Sequence, residues 1–325
     1  MTIQKLNIED IHFSSEENMR YLSSSVQILN KLMDSIGKVG LINPVIVKKM
    51  KKGNKLYTIV CGYQRVWAFK ELEIEKIDAK IVDGVTDEEL LLISFYDNLY
   101  SRGFNDIEKA AILKNFREIG YTKKRLLLEI LPLLDIPQNE KILDKYLSLL
   151  RLGEKVVDSL VKQELEIEKA FLLAPLEKDE SDSVYTVLCK ESKMNVNEAK
   201  ETLRNLLDLK QIKQCGIPEL LKLREIKSIL QESNTNKRQK GECIYRLIKG
   251  MRYPTITKKE NEFALSVKAL ALDNNVRINH SRFFEKDEIQ ISIKVSDEKG
   301  LGGYLTKLQT HVQAGCFKKI FPEHG

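Results

Sequence analysis

The chain has 325 residues, which at about 100–200 residues per domain predicts two or three domains. Apolar residues make up 42% and charged residues 31% of it, a globular balance, and no apolar run approaches the ~20 residues that a membrane span needs. The net charge of +6, from 53 Lys and Arg against 47 Asp and Glu, is too mild to name a partner by itself. Five cysteines without C-x-x-C spacing and four dispersed histidines argue against a zinc site or a disulfide framework. Residues 1–6 carry no secretory apolar region, so the cytoplasm is the expected compartment.

Residues 1–104 read as an α/β domain. Strands are expected at 44–49, 55–61 and 77–83, where β-branched residues are enriched, with Gly53-Asn54 as a hairpin signal between the first two. Helices are expected at 24–39, 63–72 and 86–99, the last opened by a Thr86…Glu89 capping box. Residues 105–211 read as all-helical. Asn105 with Glu108 starts one helix, Gly120 stops it, and helices follow at 123–131, 138–151 and 195–211. Leu143, Tyr146, Leu147 and Leu150 form one stripe, and Val196, Ala199, Leu203 and Leu206 another, as core faces do. Residues 212–325 read as a third domain, a charged helical linker over 212–250 and, beyond the break at Pro254, a small α+β unit for self-association. Helices are expected there at 258–272 and 302–313, with strands at 275–284 and 287–296 whose open edge suits pairing with a second copy.

Two basic clusters stand out. One holds Lys48, Lys49, Lys51, Lys52 and Lys55; the other holds Lys237, Arg238, Lys240, Arg246, Lys249, Arg252, Lys258 and Lys259. Each suits phosphate contact, and each equally suits a solvated face.

The most informative segment is Gly62-Tyr63-Gln64-Arg65-Val66-Trp67-Ala68, between an apolar strand pattern and a helix. A strand–glycine–helix junction points backbone N–H groups at an anion, the glycine admits a phosphate, and Arg65 adds a charged fork. Three further segments accompany it: Gly40-Leu41-Ile42-Asn43-Pro44-Val45-Ile46-Val47, Asp97-Asn98-Leu99, and Asn105-Asp106-Ile107-Glu108-Lys109-Ala110. In order and spacing these resemble the ParB family of partition proteins, whose motifs are G-L-x-x-P-I-x-V, G-E-R-R-x-x-A, E-N-L and N-P-I-E-x-A. The resemblance continues more weakly to about residue 210.

That resemblance implies a ParB/sulfiredoxin-like α/β domain that binds CTP with Mg²⁺, which some family members hydrolyse. Carried over by position, the nucleotide-binding residues are Gly62, Gln64, Arg65, Asn98 and Arg102, and Asp97 faces the metal. An oxygen ligand beside phosphate oxygens is what Mg²⁺ prefers. The chain departs from the pattern at Tyr63 and Gln64, which replace an acidic residue and the first arginine. Tyr100-Ser101 stands where Gln-Arg is usual, so that Arg102 arrives one residue late, about 100° around a helix. Plain structural roles are open for each residue: Gly62 as a turn, Arg65 paired with a carboxylate, Asp97 in a solvated last turn, which the helix dipole disfavours. Trp67 reads as core. Sulfiredoxins share the fold, but their catalytic cysteine would fall at Tyr63, while Cys61 lies within the strand, where thiols are usually inert.

The helices at 123–131 and 138–151 resemble the family's helix-turn-helix, which implies double-stranded DNA as a partner. Gln138, Asn139, Lys141 and Lys145 fall on the reading helix, and Lys123, Lys124 and Arg125 on the helix that meets the backbone. The connecting segment Leu131-Pro132-Leu133-Leu134-Asp135-Ile136-Pro137 is longer than the usual turn and lacks glycine, and Glu140 and Asp144 add negative charge. A helical bundle with a charged face is the plain alternative. The function implied is a nucleoid-associated, dimeric, CTP-dependent DNA clamp acting in chromosome or plasmid segregation, with a ParA-type ATPase as a further partner. The alternatives are a regulator of transcription or replication that binds DNA without nucleotide, and a nuclease, for which the paired acidic motif with a nearby lysine is missing.

Overall fold

The computed structural model describes residues 3–12, 26–50, 55–101, 103–281, 284 and 288–321. The hairpin signal at Gly53-Asn54 and the candidate Arg102 lie outside these. The chain divides into two compact units, Met1–Lys190 and Glu191–Gly325.

The first unit opens with a mixed five-stranded sheet. Strands β1 (Ile3–Asn7), β2 (Ile11–His12), β3 (Val45–Lys49), β4 (Tyr57–Cys61) and β5 (Lys76–Val82) lie in the order β1-β5-β3-β4-β2. The β3 pairings are parallel with β5 and antiparallel with β4. Period-two alternation puts Val45, Val47, Ile59, Cys61, Ile77 and Ala79 into the core. Helices α1 (Val26–Val39) and α2 (Tyr63–Glu71) contribute Ile36, Val66, Ala68 and Phe69 to the same cluster, with Trp67 packed against it. β1 and β2 were not among the expected strands. They are edges, Ile3 is exposed, and Leu6 is the one buried side chain of β1, so no alternation marks them.

Helix α3 (Asp87–Ser101) starts as expected: the Glu89 N–H donates to the Thr86 hydroxyl, and the Glu89 carboxylate accepts the Thr86 N–H at 2.7 Å. Its Phe95 is stacked on Phe104 and meets Phe116 edge-on, which fixes it against α4 (Asp106–Glu118). Asn105 and Glu108 form the expected reciprocal cap, so the buried Glu108 carboxylate has its partner. Gly120, at φ +101°, then reverses the chain.

The helix expected at 123–131 is a short α-helical turn, α5 (Lys123–Arg125), continued by a wider π turn over Leu126–Ile130. The glycine-free connection closes because Asp135 takes the left-handed conformation, φ 55°, which Asp tolerates better than most residues. Leu131, Leu134 and Ile136 bury inside it, which makes the long turn a packed element. Then come α6 (Glu140–Ser148), α7 (Glu154–Val161), α8 (Ile167–Leu173) and α9 (Lys178–Tyr185). Leu143 and Tyr146 of the expected stripe are buried, Leu147 and Leu150 partly so.

The second unit begins with α10 (Val196–Lys213), α11 (Ile217–Leu221), α12 (Arg224–Gln231) and α13 (Lys237–Arg252). Ala199, Leu203 and Leu206 of α10 are buried as their stripe predicts. Next are α14 (Pro254–Ala269), the antiparallel pair β6 (Val276–His280) and β7 (Ile289–Ile293), and α15 (Glu298–Gln313), around Leu270, Ile278, Leu308, Phe317 and Ile320.

Gly241 lets α13 pass close to the chain before α10: a Cβ there would lie 2.7 Å from the Lys193 carbonyl oxygen. Alanine gains about 1 kcal/mol of helix propensity over glycine, whereas overpacking against backbone costs about 1–3 kcal/mol. Gly241→Ala is therefore expected to lower the melting temperature; an unchanged or raised value would show that the two segments separate freely.

Candidate functional site

A cavity of about 440 Å³ lies at the start of α2. Four segments wall it: Leu32, Ser35 and Ile36 of α1; residues 40–43; the end of β4 with the first turn of α2, residues 60–65; and Ser94, Asp97 and Asn98 of α3. The spacing of 94, 97 and 98 puts all three on one helix face. Gly62, Gln64, Arg65, Asp97 and Asn98, singled out from two separate motifs, thus line one hollow.

Each wall has a local cause. Gly62 ends β4 and begins α2 at φ +100°, a conformation glycine adopts at no steric cost. A Cβ there would sit 2.8 Å from Val45 Cγ1 and 3.1 Å from Arg65 Nε, so the backbone approach depends on the missing side chain. Gly62 supplies no side-chain cap, and the positive end of the α2 dipole falls where residues 62–65 meet the cavity.

Arg65 Nη1 donates to the carbonyl oxygens of Asn43 at 2.8 Å and Pro44 at 3.0 Å. Its Nη2 lies 3.6 Å from Asp97 Oδ2, with both side chains partly exposed. Such a pair contributes about 0–1 kcal/mol, so an anion taking the guanidinium and a cation taking the carboxylate would displace little stabilisation. Asn98 Nδ2 donates to the Ser94 carbonyl at 2.8 Å. The Tyr63 hydroxyl donates to the Ile59 carbonyl at 3.1 Å, and Tyr63 itself lines the cavity. Burial chiefly, then the neighbouring Cys61, push its pKa up.

Cys61 forms the floor. It is 1% exposed, and burial first, then the Asp97 charge, push its thiol up to about 12 against the pull of a Ser94 hydrogen bond. A thiol so held is no nucleophile at neutral pH. The residue at the sulfiredoxin cysteine position is Tyr63, partly buried against the core cluster. The sequence reading missed Ser94, Ser35 and the carbonyls that hold Arg65. Ser94 was findable as the residue one helical turn before Asp97 and Asn98; the carbonyl contacts left no trace in residue type.

A single carboxylate is a fitting share for Mg²⁺, which takes one or two carboxylates plus phosphate oxygens and water. Among the described residues no group of three His, Cys, Asp or Glu could hold an ion, and no helix is long and apolar enough to cross a membrane.

The candidate DNA face is more heavily engaged. Lys123 Nζ is 3.3 Å from Asp144 Oδ1, which ties α5 to α6. Arg125 bonds to Glu88 and Glu129 and covers the Tyr121 ring at 3.7 Å. Asn139 caps α6, its Oδ1 accepting the Lys141 N–H at 2.8 Å, so that oxygen is already bonded. Lys145 Nζ lies 5.5 Å from the Phe171 ring centroid. Lys124, Gln138 and Lys141 present exposed side chains.

Several cations of the two basic clusters meet partners inside the protein. Arg238 pairs with Glu198, Arg246 with Glu242, Lys249 with Glu260, Arg252 with Asp208 and Lys258 with Glu262, while Lys240 donates to the Leu230 carbonyl. In the first cluster Lys48 pairs with Asp87 and Lys55 donates to the Glu9 carbonyl; Lys51 and Lys52 lie outside the described residues.

Residues 1–99 match the ParB N-terminal domain family. The chain is similar to the nucleoid occlusion protein of Bacillus licheniformis, 24% identical over 57% of this chain and 62% of that protein, so it spans less than two thirds of that relative. It is 22% identical to the probable chromosome-partitioning protein ParB of Chlamydia muridarum, over 65% of this chain and 73% of that one. Among solved structures it is similar to C-terminally truncated ParB from Caulobacter crescentus complexed with CTP-gamma-S, 20% identical, covering 54% of this chain and 93% of that one, with a TM-score of 0.28. At that score the structural likeness carries no weight of its own.

The burial of Cys61 sets one test. A thiol reagent at neutral pH is expected to label the exposed Cys243 and Cys316 and to reach Cys61 only on unfolding. Rapid native labelling of Cys61 would mean an open floor beneath the cavity.

Proposed function

We propose, from the match of residues 1–99 to the ParB N-terminal domain family, that the chain is a DNA-binding partition protein that acts as a CTP-dependent clamp. The observation that carries the reading is the convergence of Gly62, Gln64, Arg65, Asp97 and Asn98 on one cavity. Its volume, about 440 Å³, lies within the roughly 300–1,000 Å³ usual for small-ligand sites. In this reading the bare backbone at Gly62 lets a phosphate approach, and Arg65 turns its fork from Asp97 to that phosphate. Asp97 then takes one ligand position of Mg²⁺, which would neutralise phosphate charge, and Asn98 steadies the same wall.

Duplex DNA is assigned to the helical region, with Lys124, Gln138 and Lys141 exposed to meet it. A second copy is assigned to the C-terminal unit, where Leu301, Leu305 and Val312 stay exposed along α15 and Ile291 along β7. DNA and nucleotide favour the closed dimer if each binds it better than the open form. A ParA-type ATPase and a place on the nucleoid complete the reading. A second reading, a DNA-binding regulator without nucleotide, is favoured by the two carbonyls that already occupy Arg65 and by the uncharged Gln64.

Melting separates the two. CTP with Mg²⁺ at one hundred times its Kd is expected to stabilise the protein by about 2.7 kcal/mol, and ATP by less. Asp97→Asn, which keeps the shape and removes the cation's carboxylate, is expected to abolish that shift at an unchanged melting temperature of the free protein. Arg65→Ala abolishes it too, but loses the bonds to Asn43 and Pro44 and about 1–3 kcal/mol of the free protein's stability. Equal shifts for CTP and ATP, or none, favour the second reading. Both readings require duplex affinity to fall steeply with salt, and a flat response would remove DNA as the partner.

A further inference from the structure

Glu88 stands in the first turn of α3, the helix that presents Asp97 and Asn98 to the cavity. Its Oε1 accepts the Tyr121 hydroxyl at 2.8 Å and Arg125 Nη2 at 2.9 Å. Tyr121 and Arg125 flank Thr122, the N-cap of α5, where the candidate DNA-binding region begins. One carboxylate oxygen thus joins the helix of the pocket to the start of that region.

The set is closed by mutual contacts. The Arg125 guanidinium lies 3.7 Å from the Tyr121 ring centroid, and its Nε donates to Glu129 at 2.9 Å. Glu129 lies one turn along the same helical segment and moves with Arg125. In the same turn Glu89 is engaged with Thr86 and Asp87 with Lys48 of β3, so Glu88 is the one that reaches the start of α5. Bonds from Tyr121 and Arg125 hold the Glu88 carboxyl below its ordinary range, and burial, then the bond to Glu88, pushes the Tyr121 phenol up to about 12.

Arg125 is also the most fork-like cation at the candidate DNA face, and its partner Glu88 chemically resembles a phosphate in offering paired oxygens to a guanidinium. Both side chains are 42% exposed, so a phosphate can reach the guanidinium from solvent. We propose that Glu88 is a latch: it competes with duplex phosphate for Arg125, so that DNA binding frees the first turn of α3, the helix that carries the Asp97–Asn98 wall of the cavity. The latch rests on the DNA reading above and supplies the physical tie between the two sites which that reading needs.

Two variants of the full chain test it, with a random-sequence duplex titrated at several salt concentrations. Glu88→Gln keeps an acceptor for Tyr121 and removes the competing charge; duplex affinity is expected to rise several-fold at every salt concentration with the same salt slope as the wild type. Arg125→Gln is expected to weaken binding and flatten the slope by about 0.9, the share of one phosphate contact. Amide exchange over residues 87–101 should quicken in the wild type on adding duplex, and should already be quick in free Glu88→Gln. The latch is overturned if the wild type binds duplex while Glu88→Gln leaves affinity unchanged or lower, if Arg125→Gln leaves the slope unaltered, or if exchange in 87–101 ignores duplex. Failure of the wild type itself to bind would overturn the DNA reading and the latch together.

Discussion

Arg65 is the tie on which the cavity depends. Its guanidinium holds the carbonyls of Asn43 and Pro44, and so fixes the loop before β3 against the first turn of α2, while it faces Asp97 of α3. The geometry works because Gly62 has no side chain: anything larger would collide with Val45 or with Arg65 itself. Two residues three positions apart thus set the shape of a site whose other walls come from sequence before 44 and after 93. The bonds to carbonyls are firm and the Asp97 contact is weak, so a ligand can open the second without breaking the first.

Charge is used mainly to bind the protein to itself. Arg238, Arg252 and Lys249 find carboxylates on neighbouring helices, and Lys123 and Arg125 do so beside the candidate DNA face. Five of the eight cations in the stretch from Lys237 to Lys259 thus face carboxylates, which weakens its pull on a polyanion below what its composition suggests. Lys124, Gln138 and Lys141 stay exposed near the helical region, while Arg125, half-exposed, already meets Glu88.

The parts of the fold legible in the sequence were those governed by local rules. The central strands follow from the alternation around Val45, Ile59 and Ile77, and the starts of α3 and α4 from Thr86…Glu89 and Asn105…Glu108. The gathering of Gly62, Arg65, Asp97 and Asn98 was legible from motif order, since a strand–turn–helix and a later helix of the same domain bring them together. Edge strands were illegible because β1 buries one side chain and β2 has two residues. Asp135 was missed because the left-handed turn was sought at a glycine, and the capping role of Asn139 because its amide suits a base edge equally well. The ion pairs were beyond reach for a different reason: Arg238 and Glu198, or Arg125 and Glu88, lie far apart in sequence, and no local pattern encodes which carboxylate a cation will meet.

The central claim is that this hollow seats a nucleoside triphosphate with its cation. Isothermal titration of the purified chain with each of the four nucleoside triphosphates, with Mg²⁺ and again with EDTA, tests it most directly. The account predicts saturable heat for CTP at one site per chain, lost on chelation and far weaker for the other three. Absence of heat for every nucleotide, or binding of CTP that ignores the removal of Mg²⁺, would contradict it.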